Sequence, residues 1–331
     1  MKITTAAEWA FITGLVVSDA DLRRRFLPDS DVGPVRPGSA EDVCSPEEFA
    51  NLKAAMPPAP AIDGAAELTY VLGSFQRRKL IEHAIDSIRR DTEGMAVEII
   101  VIDGGSTDGA VEWLCRQQDV ITIVQHNRYV RDGETRRRMS WGRFMNMGFA
   151  AASAPWVAMV SDDCYVLPGS TRAALQRVRA AEDAGLKVGG CAYYFRDWPH
   201  DGRYRVQRTL AGNLMVNHGL YARAALQAVG FANASDYAFY KADTDLSLRL
   251  WAAGYSVIDS PESFCEHYVS PEEAARVSNN AMIEYDRAVM RVKWPGLLGK
   301  KAKKMGPIFN DHSDPEGHAE RVFGPVLREG F

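Results

Sequence analysis

From Glu67 to His267 the chain reads as an α/β protein, a mainly parallel sheet flanked by helices on both faces. Three observations predict this class. Short apolar runs alternate with stretches of helical periodicity, the rhythm of β-α-β units. Runs such as Glu98–Ile102 are apolar at successive positions rather than at every second one, which suits strands buried on both sides. Polar or acidic residues stand directly after several of these runs, where such sheets carry their ligand-binding loops.

Each element follows from its own residues. Leu68–Leu72 is the first β run, and Lys79–Arg90 brings Leu80, Ile81, Ala84, Ile85 and Ile88 onto one helical face. Glu98–Ile102 is the second strand, Ala110–Gln117 a short helix, and Val120–Gln125 a third strand. Ser140–Ala152 is a helix leading into the strand Trp156–Ser161. Ser170–Ala184 is a long helix, Val188–Phe195 a strand, Thr244–Ala253 a helix and Tyr255–Asp259 a strand. Ser270–Lys293 reads as a closing helix, with Ala281, Ile283, Ala288 and Met290 at apolar positions.

The flanks differ in texture. Thr5–Val16 and Ser45–Met56 have helical spacing, the second opening with Ser45 and Glu48 in the arrangement of a capping box. Pro28–Gly38 and Pro57–Pro60 have the composition of linkers. Residues 1–65 are therefore read as an N-terminal helical extension, 66–270 as the central domain and 271–331 as a C-terminal helix and tail. Within the tail, Lys300–Lys304 is a basic run beside Leu297 and Leu298. Such a run is more often a solvated face than a peripheral membrane contact.

Composition narrows the function classes. Of 331 residues, 46% are hydrophobic and 25% charged, enough to bury a full core. The formal net charge of −4 argues against a protein that grips nucleic acid electrostatically. No apolar run is long enough to span a bilayer, and Trp9–Val17 lacks the basic leader and cleavage site of a signal peptide. Cys44, Cys115, Cys164, Cys191 and Cys265 are odd in number and show no paired metal spacing, which reads as reduced thiols in a cytoplasmic protein.

The chemistry-bearing residues cluster after strands. Gly73-Ser74-Phe75-Gln76-Arg77-Arg78 follows the first, Asp103 ends the second in Ile99–Gly109, and Ser161-Asp162-Asp163 follows Trp156–Val160. Each alone suits a capped turn. Together they put acidic side chains on one sheet edge. The glycines of "DGGSTDG" lack the G-x-G-x-x-G spacing of a dinucleotide fingerprint. An acid at that first loop position would repel a pyrophosphate and instead suits a base N–H or a ribose hydroxyl.

These segments resemble the inverting family 2 glycosyltransferases of the GT-A fold, over roughly three-fifths of the chain. "VIDGGSTDG" matches that family's nucleotide-binding strand end, and "WVAMVSDDCYVLPG" (Trp156–Gly169) its DXD strand and Pro-Gly turn. "KADTDLSLRLWAAGYSV" (Lys241–Val257) matches its E-D-x-D-L-x-x-R segment, and His267 falls where the family places a late histidine. Two positions depart from the pattern: Ser161 stands at the first DXD position, and Ala242 where Glu is frequent.

The resemblance implies a nucleotide-sugar donor, UDP-linked by default, and a Mn²⁺ or Mg²⁺ cofactor held by Asp163 and His267. It implies donor nucleotide contacts from Ser74, Phe75, Gln76, Asp103, Arg143, Asn146, Ser161 and Asp162. Phe75 can stack on a base. Asp243 is the expected general base, with Asp245 as the alternative and a helix cap as the structural one. A solvated helix face is an equal reading for Arg143, and a structural imidazole for His267. Arg249 is expected to steady the acidic cluster. Tyr193–Val229, with Trp198, His200, Tyr204, Arg205, Arg208, Asn213, Asn217 and His218, suits either sugar recognition or a plain surface hairpin. The acceptor is a glycan, lipid-linked or protein hydroxyl. Two other classes stay open. A nucleotidyltransferase shares such a sheet, though the loop after the first strand has only one glycine. A non-catalytic glycan- or partner-binding module on a degenerate transferase fold is the other.

Overall fold

The computed structural model describes residues 65–126, 139–209, 211–269, 279–295 and 306–310, together with the backbone of residues 129–131 and 134–136. The chain opens with β1 (Leu68–Ser74), α1 (Arg78–Asp91), β2 (Val97–Asp103), α2 (Ala110–Leu114) and β3 (Val120–Val124). A hairpin of β4 (Tyr129–Arg131) and β5 (Glu134–Arg136) leads to α3 (Trp141–Ala151) and β6 (Trp156–Met159). Then come β7 (Cys164–Val166), α4 (Ser170–Asp183), β8 (Val188–Trp198), β9 (Tyr204–Val206), β10 (Gly219–Ala222) and α5 (Arg223–Ala228). The described chain closes with α6 (Ala242–Ala252), β11 (Ser256–Tyr268), α7 (Ile283–Lys293) and β12 (Ile308–Asn310).

Among the described residues ten strands form one sheet in the order β12-β9-β8-β10-β6-β1-β2-β3, with β11 joining β8 and β7. β1 lies parallel to both β2 and β6. The chain therefore winds outward from β1 to β3 and returns to β1's other side at β6. That reversal opens a crevice at the carboxyl ends of β1 and β6. β11 runs parallel to β8 but antiparallel to β7, so the sheet is mixed on this side.

The unbroken apolar runs have the expected cause. Tyr70 and Leu72 of β1 and Ile99 and Val101 of β2 pack on one side with Ile81, Ile85 and Ile88 of α1 and Leu175 and Val178 of α4. Val71, Ile100 and Ile102 point the other way, into Phe144 and Phe149 of α3 and Leu246 and Leu250 of α6. Gly148 lets α3 seat closely, because a Cβ there would fall 2.4 Å from Val71 Cγ1 and 2.6 Å from Ile102 Cδ1.

The structure corrects several boundaries. α6 begins at Ala242, so Asp243 sits inside its first turn and is not its cap; that place is taken by Lys241 at φ 69°. The β run after α6 continues to Tyr268, which puts His267 within β11 rather than beyond a short strand. β12 had no counterpart in the sequence reading. The closing helix is described over Ile283–Lys293, while residues 270–278 lie outside the described residues. So do Thr5–Val16, Ser45–Met56, Cys44 and Lys300–Lys304. No helix among the described residues is long and apolar enough to cross a membrane.

Candidate functional site

A cavity of about 910 Å³ opens at the crevice between β1 and β6. Its wall includes Ser74 and Phe75 after β1, Ser161, Asp162 and Asp163 in the β6–β7 turn, Asp243 of α6 and His267 of β11. Seven of the eleven residues named from sequence thus meet at one surface. Phe75 reaches its place because Gly104 lacks a side chain; a Cβ there would stand 2.8 Å from the Phe75 ring.

The acidic turn is tightly held. The Cys164 backbone N–H donates to the Ser161 carbonyl at 3.1 Å, closing the turn, and the Tyr268 N–H donates to the Asp163 carbonyl at 2.8 Å. Arg77 donates from Nη1 to Asp162 Oδ1 at 2.8 Å and to Asp163 Oδ2 at 3.0 Å, and all three side chains are buried or nearly so. Burial raises the Asp162 carboxyl, the Arg77 guanidinium opposes this, and the Asp163 charge adds to it, leaving Asp162 pushed up to about 6. Arg77 was not singled out from sequence. It sits among ordinary turn residues, and its partners lie 85 and 86 positions away.

His267 joins the turn from the other side. Its Nε2 stands 3.3 Å from Asp163 Oδ1, and its Nδ1 is 2.7 Å from Asp197 Oδ1. Burial disfavours the imidazolium, but the Asp163 charge and the hydrogen bonds to both carboxylates outweigh it and push His267 up to about 10. Asp197 is held well below the usual carboxylate range: burial opposes this, while His267 and Arg205 favour its ionised form.

Asp243 faces the cavity with its carboxylate oriented. Oδ2 accepts from Asn217 Nδ2 at 2.8 Å, and Oδ1 accepts from the Thr244 N–H at 2.7 Å. Asp245, the alternative base, does not line the cavity. It is 1% exposed and its carboxylate accepts from Arg249 Nε at 2.8 Å, Trp294 Nε1 at 2.9 Å and Tyr237 Oη at 3.2 Å. Arg249 steadies Asp245 and also donates to the Val229 and Phe231 carbonyls.

Four expected donor contacts are not on this wall. Asp103 is fully buried and serves its own loop: Oδ1 accepts from the Gly105 N–H at 2.8 Å and the Ser106 N–H at 2.6 Å, and Oδ2 from Ser106 Oγ at 2.8 Å. Gln76 ties the two glycine-bearing loops together, donating to Thr107 Oγ1 at 2.8 Å and accepting from the Thr107 N–H at 3.0 Å. Asn146 pins the Ala232 peptide from both ends, at 2.9 Å each. Arg143 is half-buried in the first turn of α3 and lies off the cavity wall.

The segment between β8 and β10 contributes both a strand and part of the cavity wall. Tyr204–Val206 forms a hairpin strand against β8, while Arg205, Arg208, Asn217 and His218 line the cavity. Lys241, Arg287 and Arg291 also line it, so with Arg205 and Arg208 basic groups from three parts of the chain share the cavity with the acidic turn.

Sequence comparison identifies the domain as a glycosyltransferase. The model of the family "Glycosyl transferase family 2" matches residues 70–245, and the chain belongs to that family and carries the GT-A fold. A curated relative, the succinoglycan biosynthesis protein ExoO of Rhizobium meliloti, is 28% identical over 123 residues. The match covers 37% of this chain and 32% of that protein, about a third of the relative's length. Among solved structures, the Pyrobaculum calidifontis mannosyltransferase PcManGT in complex with GDP-Man and Mn²⁺ is 17% identical, with a TM-score of 0.49 over 85% of this chain and 74% of that one. S. aureus TarS 1–349 in complex with UDP-GlcNAc is 15% identical, with a TM-score of 0.49 over 79% and 71%.

Proposed function

We propose that the 66–270 unit is a metal-dependent inverting glycosyltransferase that moves a sugar from a nucleoside-diphosphate donor, UDP-linked by default, to a hydroxyl acceptor. The observation that carries this reading is the convergence of Asp163, His267 and Asp243 on one cavity, with Asp243 oriented by Asn217. The curated relative, a succinoglycan biosynthesis protein, supports a glycan as the acceptor.

The side chains fit a divalent cation. Asp163 Oδ1 and His267 Nε2 lie 3.3 Å apart on the cavity wall, close to the spacing of about 3 Å that adjacent ligands take around a six-coordinate ion. The other nitrogen of His267 faces Asp197, the arrangement that fixes the tautomer and orientation of a metal-ligating histidine. Asp163 and His267 would hold Mn²⁺ or Mg²⁺, whose charge would offset that of the departing diphosphate.

The chain's own residues supply the rest. Ser74, Phe75, Ser161 and Asp162 line the nucleotide side, with the Phe75 ring available to stack on the base. Arg77 binds both turn carboxylates and opposes the effect of burial on Asp162. Asn217 turns the Asp243 carboxylate towards the acceptor hydroxyl. As that oxygen attacks the anomeric carbon and the sugar–phosphate bond breaks, Asp243 takes the hydroxyl proton. The basic groups sharing the cavity, Lys241 and Arg291 among them, offset the phosphate charge.

The test replaces Asp243 with Asn and measures nucleoside diphosphate release with glycan acceptors, beside nucleotide binding. Transfer should fall by roughly a thousandfold with the nucleotide-induced thermal shift retained. Turnover within about threefold of wild type would remove Asp243 from the role of base.

A further inference from the structure

Beside the cavity, reaching its wall at His218, lies a second cluster of metal-ligating side chains with no part in the proposed transfer step. Cys164 opens β7, Cys265 lies late in β11, and His218 directly precedes β10. Their candidate ligand atoms all fall within 4.8 Å of one another. Cys164 Sγ is 3.5 Å from His218 Nδ1. All three side chains are buried, at 1%, 0% and 5% exposure.

Strand register brings the two thiols together. Cys164 pairs with His267 across the antiparallel β7–β11 ladder and Cys265 pairs with Val166, so the cysteines are diagonal neighbours on one face. Diagonal neighbours in such a ladder stand about 7–8 Å apart at the backbone, with Cβ atoms somewhat closer. A disulfide needs Cβ atoms about 3.8 Å apart, so this register does not favour one. An ion bridging two sulfurs reaches further. With Zn–S near 2.3 Å and Zn–N near 2.0 Å, a tetrahedral site has an S···N edge of about 3.5 Å and an S···S edge of about 3.8 Å. The Sγ–Nδ1 separation matches the first, with Nε2 of the same ring slightly further away at 3.8 Å.

We propose that Cys164, Cys265 and His218 form a binding site for a thiophilic divalent cation, zinc being the best match, distinct from the oxygen-rich site at Asp163. Two thiolates and a neutral imidazole around a dication carry no net charge, which removes the main cost of burying an ion here. Sulfur donors select zinc over manganese or magnesium, so the two sites sort their ions by ligand chemistry. His218 lines the cavity, which gives an ion a path to the cluster. The Phe195 ring meets His218 edge-on at 5.0 Å and holds the imidazole against the thiols. An ion at this site would tie β7, β11 and the start of β10 together directly beneath the turn that bears Asp163.

The experiment uses the full chain, reduced, stripped with a strong chelator and titrated with Co²⁺. One equivalent should give a thiolate-to-cobalt charge-transfer band with the intense visible absorption of tetrahedral cobalt, and Zn²⁺ should bleach both. Cys164→Ser and Cys265→Ser should each roughly halve the charge-transfer band, and His218→Asn should weaken binding at least tenfold while leaving both thiols in place. Asp163→Asn and Cys115→Ser should leave the band unchanged, which separates this site from the proposed donor-site ion. Circular dichroism establishes that each variant is folded. Cobalt bound without a charge-transfer band, or a band that survives loss of both Cys164 and Cys265, would overturn the proposal.

Discussion

His267 is where the electrostatics of the site can be read most directly. Its imidazole lies between Asp163 and Asp197, and their charges push it up to about 10 against the opposing effect of burial. A ligating imidazole must give up the proton on the nitrogen that meets the ion. Because the pKa is raised in the folded protein, that proton is bound throughout the neutral range and each ion bound there would displace it. The apparent Mn²⁺ affinity should therefore rise roughly tenfold per pH unit between about pH 6.5 and 9. Below pH 6, protonation of Asp162 should weaken it further. Electron-paramagnetic titration of free Mn²⁺ at pH 6.5, 7.5 and 8.5 checks the slope, and His267→Gln should flatten it. A pH-independent affinity in the wild type would mean that His267 is not a ligand.

The residues that orient the site were the least legible in the sequence, for a physical reason. Asp163, Asp243 and His267 stand in local patterns, and their places on the cavity wall follow from strand and helix ends. Arg77 and Asn217 acquire their meaning only from partners 85 and 26 positions away. At Asp103 the sequence is ambiguous, because an acid at a strand end suits a ligand and a loop equally well. Its three hydrogen bonds to Gly105 and Ser106 put it in the loop.

At the scale of elements, α6 depends on α7. Asp286 of α7 is fully buried and accepts from the N–H groups of Ala238 at 2.6 Å, Phe239 at 2.9 Å and Tyr240 at 2.6 Å. Those three peptides form the approach to Lys241, whose left-handed backbone starts α6 and presents Asp243. Asp286→Ala should cost about 3 kcal/mol of stability, because three donors lose a charged acceptor. Asp286→Asn keeps an acceptor oxygen and should cost less. Urea unfolding of the two variants gives both values, and equal losses would show that the carboxylate is not what holds the loop. Helix periodicity made α1, α3 and α4 readable to within a residue or so. The start of α6 was misread because an Asp near a helix start is a common cap, while Lys241 gives no local sign of a positive φ. β11 was read short because Pro261 and Glu262 interrupt its apolar pattern, yet the register with β8 resumes beyond an irregularity at Phe264.

For the whole molecule, the decisive feature is the order in which strands were laid down. Placing β1 between β2 and β6 brings the turn after β1 and the turn after β6 to one crevice, and β11 then delivers His267 to the same place. The alternation of strands and helices made the parallel half of this sheet legible. The mixed half was not, because antiparallel β10, β9 and β12 join through contacts that no local period encodes. The proposed transfer requires this crevice to hold a nucleoside diphosphate together with a divalent ion. The most direct measurement is a thermal-shift panel of UDP, GDP, dTDP, CDP and CMP, each with and without Mn²⁺, on the wild type and on Asp163→Asn. A ligand at a hundred times its Kd stabilises by about 2.7 kcal/mol, a readily measured shift. One nucleotide should raise Tm only when Mn²⁺ is present and lose that effect in Asp163→Asn; no shift with any nucleotide under any condition would contradict the account.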